Sequence, residues 1–594
     1  MRNLQNYLSC LIEVGRGDST FCKQKVAKIF DKILVRYCFF IKILQTHRIS
    51  ESMGKINQKS QILRQTNKKR MGILTTTNKI IFATFAFEFT ALMLFYAYAY
   101  PYVPFWGDDL QHLSDYASNQ AQIRFTMSGW VPTRVLPSYF DAIVGLVAMY
   151  VLQPLFKMPL LDAINISHAL LISAGFAVAH FVAYKVISML CARSYALVAS
   201  FAFIVGASFA MKPSVMPLLL PSINYTQNHY SMNIANWYLL PYLCNLVLVG
   251  GLMMALIYRI KSATNIATIS QIPPPPSCID AESSVISFHK YLFISIALYF
   301  AYFCAFSIAS ASVIGASFAF ICLIYCVTSN YKNREISGSF SLKSLKFLSK
   351  FGAFEAICVV ILLFSAYAIL GEVRSDRADY CEFKGVDFAF GADFVKGQFS
   401  KISNLFRAIF IAFAVIMSVY FALKGRGCTQ SADFKLRKIV FFISLAWIFT
   451  LCVVFVGICS KCGASYHLIS GLFLAMLFAL SVWFGVCLGM HKFFRFIIPF
   501  LLLYVALQNG FKPYDERPRS AYLWHKQWTQ KWLDEAREAD MAGLDFVDFK
   551  VPSDFRHINE QSWLWESFSR TLHIYGVTKK RLKVRFVTDE MDKK

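Results

Sequence analysis

Apolar runs of about 20 residues recur from Lys79 to Asn509, and this recurrence limits what the chain can fold into more than any other feature. Each run is long enough to cross a bilayer as one α-helix. A closed β-barrel is the other way to satisfy every backbone group in lipid, but these runs lack the strict in–out alternation of barrel strands. The chain has 594 residues, 56% of them hydrophobic, and a mean hydropathy of +0.47. The fold class expected is therefore an all-α polytopic membrane protein.

Candidate spans lie at 79–101, 164–188, 195–217, 239–258, 290–308, 311–328, 351–370, 403–423, 438–458, 466–488 and 493–509. Lys and Arg concentrate at 185–194, 259–289, 329–350, 424–438 and 489–495, and the positive-inside rule places all of these in the cytoplasm. The loops at 102–134, 218–238, 371–402 and 459–465 then fall outside, together with the C-terminus. This scheme needs an odd number of crossings, and 11 satisfies it. One apolar segment, Leu136–Phe156, is left over. If it crossed, every later basic loop would change sides, and it carries Pro137 and Asp141. We expect a re-entrant or interfacial helix there.

The formal charge of +25 does not point to nucleic acid, because most basic residues lie in loops between apolar runs, where they set topology. The partner it implies is the lipid bilayer. The 16 cysteines are scattered through the spans and the N-terminal segment and form no disulfide framework. Cys459-Ser-Lys-Cys462 is a lone CxxC with no second ligand pair, so no metal site is assigned.

Residues 1–78 form a basic cytoplasmic segment. Met71 follows Lys68-Lys69-Arg70 and opens a stretch that reads like a natural start, so residues 1–70 are expected to be an over-extended reading frame. Residues 79–509 form the multi-span domain. Residues 510–594 form an extracytoplasmic tail. In it, Ser520–Met541 reads as a helix with Trp524, Trp528 and Trp532 on one face, stopped by Gly543. Such a stripe just after a last span marks an interfacial helix. Lys583–Thr588 alternates like a strand.

The stretch Pro101–Ala117, PYVPFWGDDLQHLSDYA, follows the first span directly. Its adjacent carboxylates, Asp108 and Asp109, sit where charge is costly unless solvated or used. Adjacent side chains diverge, so the two are not expected to share one proton. Two uses fit. The pair can cap a following helix, Leu110–Ala121. Alternatively, one carboxylate can act as general base on an acceptor hydroxyl at headgroup depth. Downstream, Arg124 and the string Trp130-Val-Pro-Thr-Arg134 offer guanidinium groups to a lipid phosphate or to a neighbouring aspartate. The second outer loop carries Asn224, Tyr225, His229, Asn236 and Trp237, amides and aromatics that suit a sugar or an interfacial belt. The third, Glu372–Ser400, is acidic and reads as a solvated loop or lid. Within the spans, Glu88, His168 and His180 are ionisable, and a transporter would use such groups in a proton relay.

A first span followed by Gly107-Asp108-Asp109 and then Trp130…Arg134 resembles the membrane glycosyltransferases of the C type. These include bacterial lipopolysaccharide-modifying glucosyltransferases, aminoarabinose transferases and protein O-mannosyltransferases. Asn224-Tyr225 followed by Trp237-Tyr238 and Pro241 is similar to the second-loop elements of uncharacterised bacterial relatives. Thr133 stands where those relatives carry glycine before the arginine.

The resemblance covers residues 79–245 by motif and implies several things. Asp108 or Asp109 is the catalytic base. Arg124 or Arg134 faces the donor phosphate. Trp130, Asn224, Tyr225, His229 and Trp237 are substrate-binding candidates. The donor is a polyprenyl-phosphate-linked sugar, and the acceptor is a hydroxyl of an envelope glycan, lipid or protein. No cofactor is required, a divalent ion (Mg or Mn) being optional. The location is the bacterial cytoplasmic membrane, with the N-terminus inside and the C-terminus outside. Two other readings are a polysaccharide polymerase or ligase, and a transporter or flippase of a lipid-linked sugar.

Overall fold

The computed structural model describes residues 78–102, 135–211, 218, 232, 235–269, 283–335, 352–374, 386–412, 415, 432–459, 466–490, 492–508, 517–552 and 562–588. The chain divides into Met1–Ala83 and Thr84–Lys594. Everything that follows belongs to the second unit, apart from the first turns of the first helix.

The protein is mostly helical. Helices α1 (Asn78–Ala99), α2 (Val135–Phe156), α3 (Leu160–Ser188) and α4 (Arg193–Phe209) are followed by α5 (Leu240–Ile269), which is entered through a π-helical turn at Ala235–Leu239. Then come α6 (Ser283–Ala305), α7 (Ala309–Glu335), α8 (Ala353–Arg374), the short α9 (Phe388–Phe399), α10 (Ala432–Cys459), α11 (Tyr466–Met490) and α12 (Lys492–Gln508). Among the described residues, 8 helical segments are long and apolar enough to cross a membrane, and α4 and part of α6 are shorter apolar helices. Each expected span overlaps a helix, and the one at 195–217 is helical only to Phe209, with Met211 in a bridge to Ile402. The one at 403–423 is described as helix over 404–412 and at 415, its other residues lying outside the described ones.

Close approach of backbones holds the bundle together, as expected where lipid gives helices no hydrophobic drive to associate. A methyl group added at Gly206 of α4 would fall 2.3 Å from Leu477 of α11. One at Gly250 of α5 would meet Val182 of α3 at 2.1 Å, and one at Gly485 of α11 would meet Ile187 of α3 at 2.1 Å. Helix α11 is thus wedged among α3, α4 and α5, and its Leu474, Ala475, Phe478 and Cys487 are fully buried.

Hydrogen bonds between helices order the two ends of the bundle. Helices α3 and α5 run parallel: His168 meets Asn236 near the start of both, and Lys261 Nζ reaches the Met189 carbonyl near the end of both. The α6–α7 turn belongs to the first end, where Tyr242 Oη donates to Ser310 Oγ and Asn245 Nδ2 donates to Ser307 Oγ. Arg259 of α5 pairs with Glu355 of α8 at the second end, with its guanidinium over the Phe354 ring. The first end, where α1 stops and α3 begins, is called the upper end below.

Helix α2 begins and finishes at this upper end. Its Leu136 N–H donates to the Phe306 carbonyl in the α6–α7 turn, and Val135 packs with Ala305, Phe306 and Ala368. It stops at Lys157, whose φ of +51° lets the chain turn at once into α3. The segment expected to be re-entrant or interfacial is therefore one continuous helix of span length with both its ends at the upper end.

The C-terminal region departs from the all-α expectation. Helix α13 (Arg517–Met541), strand β1 (Phe546–Val551), helix α14 (Ser562–Ile574) and strand β2 (Lys583–Thr588) form a small α/β unit. The strands pair in parallel from Phe546–Lys583 to Val551–Thr588. Parallel strands need a crossover, and α14 lies within it. Both helices end on a left-handed glycine, Gly543 (φ +74°) and Gly576 (φ +67°). At each, the following N–H bonds five residues back, Leu544 to Ala539 and Val577 to Leu572, which closes the helix end. The core is aromatic: Trp532, Phe549, Phe568 and Phe586 pack with ring centroids 5.2–6.4 Å apart.

This corrects the expected interfacial tryptophan stripe. Trp532 is fully buried and gives its indole N–H to the Lys550 carbonyl at 3.1 Å. Trp524 and Trp528 are only half-buried. The helical spacing that suggested a lipid-facing stripe in fact directs its last member into a protein core.

Candidate functional site at the upper end

A buried polar cluster occupies the upper end. Asp141 on α2 is fully buried. Its Oδ1 accepts from Asn236 Nδ2 at 2.7 Å and its Oδ2 accepts from Trp237 Nε1 at 2.9 Å. Asn236 Oδ1 in turn lies 3.0 Å from His168 Nε2 on α3. An amide oxygen only accepts, so His168 carries its proton on Nε2 and donates it. The Tyr102 ring, at the end of the first described segment, meets the His168 ring edge-on at 5.0 Å. One turn nearer the start of α3, Asn165 Nδ2 donates to the Ala97 carbonyl of α1 at 3.0 Å.

Four elements are tied together here by side chains from distant parts of the chain. Buried polar groups at such a point fix one arrangement, because each lost partner leaves another group unmet at a cost of about 1–3 kcal/mol. Three π-helical turns surround the cluster: Phe95–Ala99 in α1, Ala148–Leu152 in α2 and Ala235–Leu239 before α5. A π turn inserts a residue into the helical ladder and is found often at functional sites. Here the turns sit where the chain leaves or joins the upper end.

The C-terminal unit is seated on the same end. Tyr575 follows α14 and enters the notch left by Gly145 on α2, where a methyl group would fall 2.0 Å from its Oη. Gly145 lies one turn beyond Asp141 on the same face. Burial first, then the negative charge of Asp141, then Tyr150, push the Tyr575 phenol well above its ordinary range, so it is a neutral hydroxyl. Lys526 of α13 pairs with Asp162 of α3 beside it. Burial and the Asp162 charge likewise raise the Tyr522 phenol.

Of the catalytic and substrate-binding candidates that the resemblance implies, Trp237 is described. It lies in a helical turn rather than a loop, is 4% exposed, and its indole N–H is bound to Asp141. Asp108, Asp109, Arg124, Trp130, Arg134, Asn224, Tyr225 and His229 lie outside the described residues. The segments that carry them begin and end at described residues of the upper end, Tyr102 and Val135 for one, Met211 and Ala235 for the other, with Leu218 and Met232 described between. The segment expected as the third outer loop also ends here: Ser403 N–H donates to the Ala210 carbonyl, and Met211 bridges to Ile402. Part of it, expected as loop, is helix α9, capped by the Asp387 carboxylate on the Phe390 N–H.

Asp141 and His168 were visible in the sequence as polar interruptions of apolar runs. Their link through Asn236 was not, because it joins α2, α3 and α5. Among the described residues, no group of 3 or more His, Cys, Asp or Glu side chains could hold a metal ion. The pair that the resemblance offers to a divalent ion, Asp108 and Asp109, lies outside them. Compared with protein-family models, curated proteins and solved structures, the chain matches none.

Proposed function

We propose that the protein is an integral-membrane glycosyltransferase that moves one sugar from a polyprenyl-phosphate donor to a hydroxyl of an envelope glycan, lipid or protein. The site is at the outer face of the bacterial cytoplasmic membrane. Asp108 or Asp109 takes the proton of the acceptor hydroxyl as its oxygen attacks the anomeric carbon. The carbon–oxygen bond to phosphate breaks, the phosphate leaves with the bonding electrons, and the anomeric centre inverts. Arg124 or Arg134 binds the departing phosphate. Trp130, Asn224, Tyr225, His229 and Trp237 surround the sugar, with Trp237 acting as a post held by Asp141.

The observation that supports this reading is that the described residues bounding the three proposed outer segments all lie at one end of the bundle, the end that holds the Asp141–Asn236–His168 cluster. A reaction between a lipid-anchored phosphate and an acceptor needs such a convergence at one depth. The path of α2 supports the topology, with 11 crossings, basic loops inside and α2 confined to the outer half. The seating of the C-terminal unit on the upper end agrees with an outer C-terminus. The test is whether an envelope glycan or glycolipid loses one sugar when both aspartates become asparagine and the protein stays in the membrane.

A transporter of a lipid-linked sugar is the second reading. It is favoured by one observation, the pairing of Glu88 with His180 deep in the bundle.

A further inference from the structure

Glu88 is the eleventh of the 22 residues of α1, at the middle of the helix. Its Oε2 lies 2.6 Å from His180 Nδ1 on α3, and the other ring nitrogen, Nε2, lies 2.9 Å from Ser200 Oγ on α4. Ser200 Oγ also lies 2.8 Å from the Leu197 carbonyl. A carbonyl cannot donate, so the single hydroxyl hydrogen of Ser200 points to Leu197. Ser200 must then accept from His180, and Nε2 carries a proton. That leaves Nδ1 facing a carboxyl oxygen at 2.6 Å. Two bare lone pairs would repel at this distance, so one proton lies between them.

The proton count has a consequence for charge. With one shared proton the pair is neutral overall, whether written as carboxylic acid and imidazole or as carboxylate and imidazolium. Losing that proton leaves a net negative charge among apolar side chains. Adding another leaves a net positive charge. Either change is costly unless water reaches the pair with it, so proton exchange here requires hydration at Glu88 Oε1. Phe85 and Phe201 flank the His180 ring at 4.9 and 5.4 Å, and His180 is fully buried. The second carboxyl oxygen, Glu88 Oε1, is buried with no hydrogen-bond partner. It is an acceptor aimed into the bundle and left available. Other titratable groups on the packed elements are Tyr184 of α3, which shares the Phe85 ring, Lys185 beside it, and Arg193 in the first turn of α4.

We infer that Glu88, His180 and Ser200 form a proton-binding site at the middle of the bundle, with the shared Nδ1–Oε2 proton as its exchangeable ligand and Glu88 Oε1 as the point where water or hydronium docks. The polar ties that fasten α1 to α3 include this pair and, nearer the upper end, the Asn165–Ala97 bond. Proton occupancy therefore bears on the seating of the helix that leads through Tyr102 to the segment with Asp108 and Asp109. The inference stands independently of the glycosyltransferase reading.

The test is infrared difference spectroscopy of the full chain in lipid nanodiscs, recorded over a series of pH steps from acid to alkaline. Glutamate labelled with ¹³C at the side-chain carboxyl marks the bands. The expected result is a carboxyl band that responds to pH, shifts with the label, is lost in Glu88→Gln and is displaced in Ser200→Ala, where Nε2 loses its acceptor. If Glu88→Gln fails to fold, the displacement in Ser200→Ala alone decides. A labelled spectrum without a pH-dependent glutamate band, or one unchanged in both variants, overturns the inference.

Discussion

Trp237 and Asp141, 96 positions apart in the chain, are joined by an indole N–H···O bond of 2.9 Å inside the upper end of the bundle. The bond ties the helical turn Ala235–Leu239 to helix α2, elements from distant parts of the chain. Asp141→Asn keeps one acceptor oxygen and turns the other into a donor, so it strands one of the two donors, Trp237 Nε1 or Asn236 Nδ2, at about 1–3 kcal/mol. Trp237→Phe keeps most of the ring but takes the indole donor from the buried Asp141 Oδ2, at about 1–3 kcal/mol. The two changes share one bond and are expected to be non-additive, with a coupling of about 0.5–3 kcal/mol. Thermal unfolding of Asp141→Asn, Trp237→Phe and the double variant in one detergent measures this. Strict additivity would mean that the bond holds nothing.

The Tyr575 seat in the Gly145 notch makes a steric and a pH prediction. Gly145→Ala places a methyl group 2.0 Å from Tyr575 Oη and is expected to unseat the C-terminal unit, while adding Tyr575→Ala restores the space. Limited proteolysis that releases a C-terminal fragment reads the difference. The pH effect follows from burial. The folded phenol keeps its proton above the ordinary tyrosine value of 10.0, whereas the unfolded one releases it. The unfolded state then binds fewer protons, so stability falls as pH rises beyond about 10, by up to about 1.4 kcal/mol per unit. Tyr522 adds to the same slope. Tyr575→Phe is expected to make the slope shallower without abolishing it, as denaturation midpoints across this range would show.

Trp532 and Trp524 separate a folded C-terminal core from a lipid-facing stripe. Trp532→Ala empties the centre of the Phe549–Phe568–Phe586 cluster and is expected to cost about 3–5 kcal/mol, enough to unfold the unit. Trp524→Ala, at a half-buried position, is expected to cost a small fraction of that. Denaturant unfolding followed by proteolysis distinguishes them. Equal effects would restore the stripe.

The path of α2 decides the sidedness of everything after it. If α2 leaves and rejoins one face, the link between α3 and α4 lies on the same side as the start of α1. An alkaline phosphatase fusion after Ala192 is then inactive and a fluorescent-protein fusion there is bright. The opposite pattern would mean that α2 crosses.

The spans were legible because lipid permits few structures: a long apolar run with basic flanks can satisfy its backbone only as helix, so α5 and α10 could be placed closely from composition. The strand Lys583–Thr588 and the stop at Gly543 were legible for local reasons, alternation and the left-handed turn that glycine accepts. Trp532 was misplaced because spacing places side chains on a face without saying what covers that face. The upper-end cluster was half visible. Asp141 and His168 stood out as polar groups in apolar runs, but their link through Asn236 comes from the crossing of α2, α3 and α5, which local pattern does not encode. The pairing of Glu88 with His180 was hidden for the same reason, the partners lying 92 residues apart.

The most direct test of the proposed function is mass spectrometry of envelope glycans and glycolipids from three strains: wild type, deletion, and one carrying Asp108→Asn with Asp109→Asn. Loss of the same single-sugar increment from both altered strains, with the variant protein still in the membrane, is the expected result, and it would also identify the product. An unchanged profile in the double variant would contradict the transferase reading, return the aspartate pair to the role of helix cap, and leave the transporter as the reading to pursue.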